Sequence, residues 1–213
     1  MAQTPFERMI SDENTWLGNT LTEAAINAAN EIGGTAVVVD RFEDWPAVAP
    51  FENEAASPSP FAESPAPKYI WESLTPEGGD VAAFAVASEE FTITPGIGEV
   101  EFAIFLSAFA DNAMNARIQL FVEQDDEFIP APVQPTGLGN FVLEAGEPGD
   151  PSEGLLETEP PYDWQDVRYY STDFRVATPN TYKIVVSFEV TNYFVPMGST
   201  INPAGLQFVV DIY

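Results

Sequence analysis

Period-two alternation is the feature that most limits what this chain can fold into, and it is clearest from Phe174 to Val190, FRVATPNTYKIVVSFEV. Tyr182, Ile184, Val186, Phe188 and Val190 share one parity, while Lys183, Ser187, Glu189 and Thr191 hold the other, with Val185 the exception. Successive side chains of a strand point to opposite faces, so this is a strand with one oily and one wet side. Pro179-Asn180 separates it from the shorter run Phe174-x-Val176. A residue lacking an N–H, followed by one that tolerates unusual φ, favours a turn. The expectation is a central hairpin of an antiparallel sheet.

The same pattern governs the chain from Lys68 onward. Strands are expected at Tyr69–Glu72, Val81–Ala87, Glu90–Thr94, Glu99–Ala110, Ala116–Glu123, Asn140–Glu144, Asp166–Val176, Thr181–Asn192 and Leu206–Tyr213. Turn signals stand between them at Pro95-Gly96, Asp111-Asn112 and Pro203-Ala204-Gly205. Short strands with such punctuation make a sandwich or barrel. Residues 124–165 form a long Gly- and Pro-rich excursion, which suits a jelly roll better than an immunoglobulin-like sandwich. The predicted fold is mainly β: a jelly-roll β-sandwich or barrel over residues 68–213, preceded by an arm over 1–67.

That arm holds one helix, over 20–32. Thr20-x-x-Glu23 is a capping box, Leu21, Ala25, Ala28, Ala29 and Ile32 form a narrow apolar stripe, and Gly33-Gly34 ends it. So many alanines predict close docking against a sheet. Residues 35–40 read as a short buried strand. Residues 1–19 read as an irregular segment ordered by a neighbour. Residues 43–67 carry six prolines, which forbid a regular ladder, around Trp45, Phe51 and Phe61. Large aromatics in non-periodic sequence point to an extended strap lying over the body or over an adjacent subunit. Trp16, Trp45, Phe51 and Phe61 are therefore the candidate anchors for contacts with neighbouring subunits.

Charge decides the environment. There are 34 acidic residues against 7 basic ones, a net charge of −27 and a pI near 4.1. A folded chain of this mass exposes roughly 9,700 Å², equivalent to a sphere about 28 Å in radius. Spreading the charge over that sphere gives a self-repulsion of about 14 kcal/mol at ~0.1 M salt, falling to about 5 kcal/mol at ~1 M. Net stabilities are only ~5–15 kcal/mol, so such a surface suits brine. Direct nucleic-acid binding is disfavoured because no Lys/Arg cluster exists to meet phosphate. The first residues lack the basic and apolar regions of a secretory leader, and no run reaches the length of a membrane span.

Histidine and cysteine are both missing. Ser-His-Asp and Cys-His catalysis, thiolate metal sites and disulfides are therefore excluded. No phosphate-binding or dinucleotide glycine motif is present, and no catalytic residue or cofactor is expected. A structural cation such as Ca²⁺ has weak candidate ligands in loops: Asp125, Asp126 and Glu127, and the group Glu147, Asp150 and Glu153. Tyr162, Trp164, Tyr169 and Tyr170 gather near the long excursion; aromatics of this kind stack on sugars in lectin-like modules, and more often fill a core or a subunit interface.

The Phe-x-Val…Tyr-x-Ile-x-Val-x-Phe strand pair resembles the jelly-roll pattern of tumour-necrosis-factor-like and C1q-like heads. Taken with the acidity, the two lysines and the strap, the whole resembles the single jelly-roll capsid proteins of icosahedral viruses of halophilic archaea. That resemblance implies a virion subunit without enzymatic activity, partnered by its own copies and other capsid proteins around an internal membrane. The alternative is a cell-surface or secreted binding module for carbohydrate or calcium.

Overall fold

The stretch around Pro179-Asn180 is an arch between two sheets, not a hairpin within one. The computed structural model describes residues 5–43, 45, 66–96, 98–138, 142–145, 167–193 and 202–213. In it β11 (Arg168–Val176) pairs with β7 (Val100–Asp111), whereas β12 (Asn180–Thr191) pairs with β8 (Ala113–Gln124) in the opposite sheet. Asp111-Asn112, expected as a turn, likewise carries the chain across from β7 to β8. Alternation demands only that the oily parity face the core, and both arrangements satisfy it.

One sheet, sheet A, runs β11-β7-β13 (Gly205–Ile212), with β4 (Ile70–Trp71) and β1 (Glu7–Ile10) sharing the far edge of β13. The short β3 (Val37–Val38) pairs with β4. The other, sheet B, runs β10 (Val142–Ala145)-β8-β12-β5 (Val81–Ala87)-β2 (Trp16–Gly18). There β6 (Phe91–Ile93) extends the β5 side of β12, and β9 (Glu127–Pro130) pairs with β8. The main path reads β4-β13-β7-β11 over β5-β12-β8-β10, and successive main strands change sheet at every step except β8 to β10. Two interleaved Greek keys of this kind are a jelly roll, as expected.

The core lies between the sheets. Phe102, Ile104, Leu106 and Ala108 of β7 face Ile118, Leu120, Ile184, Val186 and Phe188 of sheet B. Phe188 stacks on Phe208 across the interface with ring centroids 4.4 Å apart. Helix α1 (Leu21–Asn30) covers the outer face of sheet B. Its Ala24, Ala25, Ala28 and Ala29 are buried against Ala83, Ala85, Phe121 and Val185, which explains why Val185 broke the alternation. Ile32, predicted on the stripe, is half exposed, because the helix ends before it.

The caps differ in detail from the prediction. Thr20 Oγ1 accepts from the Glu23 N–H as expected, but the Glu23 carboxylate accepts from the N–H and side-chain amide of Asn19. Glu31, not a glycine, takes the left-handed position at φ 56°. Residues 7–10 and 16–18 form edge strands where an irregular arm was expected. Ser11 fastens that segment, donating to the Lys68 carbonyl and accepting from the Phe208 N–H. Unlike the buried strand expected over 35–40, Val38 of β3 is exposed.

Candidate functional site

A groove of about 610 Å³ lies where β1, the segment after it, the end of α1 and the end of β5 meet. Arg8, Asp12, Asn14, Trp16, Glu31 and Lys183 are among its walls. Lys183 sits on the outward parity of β12 but is only 5% exposed, because α1 lies over it. Its Nζ donates to the Ala29 carbonyl at 3.0 Å and stands 3.4 Å from a Glu31 oxygen and 3.8 Å from one of Glu90. It also lies 4.6 Å from the Phe128 ring centroid, within cation–π range. A cation at a helix C-terminus meets the negative end of the macrodipole. Lys183 thus fastens the end of α1 to sheet B, and Asn30 does the same to β9 through paired bonds with the Phe128 N–H and C=O.

Beside it, the Glu7 carboxylate accepts from the Glu89 N–H at 2.9 and 3.1 Å. Burial pushes the Glu7 carboxyl above its usual range; the N–H opposes this and the neighbouring Glu89 charge adds to it. A second buried ion pair, Arg8 with Asp211 at 3.9 Å, ties β1 to β13. Together with Lys68–Glu13 and Arg175 between Glu99 and Glu101, these contacts commit most of the scarce cations internally. The Lys183 and Arg8 side chains are largely buried, whereas Lys68 and Arg175 meet their carboxylate partners at the surface.

The outer face of sheet A is divided. Over one half lies Trp45, 1% exposed, packed on Tyr69 and Phe109 at centroid separations of 5.2 and 5.8 Å. Its Nε1–H donates to the Asp111 carboxylate at 2.8 Å. Burial pushes the Asp111 carboxyl up to about 7, against the lowering effect of that bond. Gly205, opposite Asp111 on β13, leaves room for the indole: a Cβ there would lie 2.5 Å from Trp45 Cη2.

Trp45, expected as an anchor in a subunit contact, is therefore buried in its own chain. Trp16 also packs within the chain, against the α1 cluster, while lining the groove. Phe51 and Phe61 lie outside the described residues. Asp125 and Asp126 occupy left-handed positions, φ 55° and 65°, in the tight turn between β8 and β9 that Glu127 follows. Among the described residues no group of three or more acidic side chains converges to hold a metal ion. Glu147, Asp150 and Glu153 lie outside those residues, as do Tyr162 and Trp164. Tyr169 and Tyr170 fall on opposite faces of β11, Tyr169 exposed and Tyr170 against the core. The groove and the Trp45–Asp111 contact were not anticipated, since each joins segments far apart in the chain.

No family model matches the chain, and no curated protein matches its sequence. Among solved structures, one titled "CBM4 structure and function" aligns with a TM-score of 0.32 at 13% identity, over 68% of this chain and 70% of that one. The fold assignment rests on the strand order itself. Among the described residues no helix is long and apolar enough to cross a membrane.

Proposed function

We propose that this protein is a structural subunit, repeated in a virus particle that assembles in high salt. The observation that carries the reading is a jelly-roll strand order in a chain of net charge −27. Jelly rolls serve as viral capsid and lectin domains, rigid blocks whose loops and edges are free to make contacts. Here α1 and the Trp45 segment stiffen the block from outside, and the internal pairing of its cations leaves like-charged surfaces to meet one another. Contacts between such surfaces form when salt or divalent cations screen them. The partners are other copies and other virion proteins, and the location is the virion.

Size-exclusion chromatography with light scattering over ~0.1 M to ~1 M salt tests this, because the Debye length falls from about 10 to about 3 Å across that range. The expected result is an assembly at high salt that dissociates or unfolds at low salt. A 23.2 kDa monomer, equally folded throughout, overturns the proposal.

A further inference from the structure

We propose that the open half of sheet A's outer face is a binding cleft for one neutral pyranose ring of a carbohydrate. This goes beyond the assembly reading and does not depend on it. The cleft, about 160 Å³, lies between β7 and β11. Phe105 and Tyr169, 45% and 58% exposed, form its walls, and Ser107 and Ser171 lie between them. Register pairs Tyr169 with Ser107 and Ser171 with Phe105, so the two rings stand at diagonal corners and the two hydroxyls at the others. Phe105 is held from behind by Tyr213, edge-on at 5.5 Å.

Dimensions select the guest. Diagonal positions on a sheet are about 7–8 Å apart at the backbone, so side chains standing off the sheet there have room for one ring between them at carbon contacts of about 3.5–4.0 Å on each side. The volume is roughly half that of the smallest drug-sized pockets, ~300 Å³, so a single ring fits and an extended ligand does not.

Chemistry narrows it further. Ser107 is 4% exposed, lines the cleft, and has no hydrogen bond to its hydroxyl among the described residues. An apolar guest, such as a side chain of a protein partner, would leave that hydroxyl dry and unpaired, a penalised state. A sugar brings hydroxyls to it, and its weakly positive C–H faces meet the negative faces of the aromatic rings. Acidic sugars and phosphates are repelled by the −27 field, so the ring is neutral.

The test is ligand-observed saturation-transfer NMR at one high salt concentration, which reads binding whatever the size of the protein assembly, with methyl glucoside, methyl galactoside, methyl mannoside and N-acetylglucosamine. At least one should give a saturable transfer signal, with a Kd on the order of 1 mM for so small a ligand. Tyr169→Ala should weaken binding roughly tenfold and Ser107→Ala should weaken it several-fold, while Leu74→Ala, at an exposed site elsewhere, leaves it unchanged. Absence of a saturable signal with all four sugars overturns the proposal, as does unchanged affinity in Tyr169→Ala. Loss of assembly in Tyr169→Ala, at salt where the wild type stays assembled, would assign the surface to a second copy and equally overturn it. The first two results leave the salt dependence of assembly untouched.

Discussion

Asp111→Asn should stabilise this protein at alkaline pH and do little in acid. Asp111 is 2% exposed and meets the Trp45 indole N–H as its hydrogen-bond donor, with the Arg41 guanidinium bonded nearby to the Trp45 carbonyl. Burial raises its carboxyl from 3.8 to about 7. A raised carboxyl means the folded state holds a proton that the unfolded state has released. The stability from that proton is fully present below pH 3.8 and drains away as pH climbs to 7, after which the loss is constant. At 1.36 kcal/mol per pH unit the full loss is at most about 4 kcal/mol. Asparagine keeps the shape and still accepts from the indole, but has no proton to lose. The stability difference between variant and wild type should therefore widen by up to about 4 kcal/mol from pH 4 to pH 8 in favour of asparagine, roughly 8–16 °C in melting temperature. Taking the difference cancels the other carboxylates, which titrate alike in both proteins. Urea unfolding at fixed high salt, followed by tryptophan emission across that range, measures it. A difference that stays flat with pH would refute the reasoning.

Gly205→Ala should force Trp45 off the sheet, since the new Cβ has no room beside the indole. Overpacking of this kind costs about 1–3 kcal/mol, and a lower melting temperature with red-shifted tryptophan emission is the expected result; unchanged emission would contradict it. Lys183→Met should free the end of α1, costing about 1–3 kcal/mol for the carbonyl left unpaired and speeding amide exchange in residues 27–30 more than in the core strands. Uniform exchange across helix and sheets would count against the fastening role.

How much was legible follows from the range of each force. Strand positions were read well because alternation is local: Val81–Ala87 was placed to the residue, and most other ends within a few residues. The alanine face of α1 and its Thr20 cap were equally local. Edge strands β1 and β2 were missed because they borrow their order from β13 and β5 rather than from a pattern of their own. Trp45 was placed correctly as a greasy anchor but with the wrong partner in view, because nothing nearby in sequence names Tyr69, Phe109 or the gap at Gly205.

The sequence by itself determined which parity of the main strands faces the core and how much charge the surface must carry, since parity and charge count need no partner. Only the tertiary structure decided whether strands joined by a turn share a sheet or face each other across the core. An arch and a hairpin bury the same parity, and long-range pairing alone separates them. Packing between segments far apart in the chain buried Lys183 under α1 and Asp111 under Trp45, and strand register brought Phe105 beside Tyr169, because the neighbours of a side chain are not set by distance along the chain.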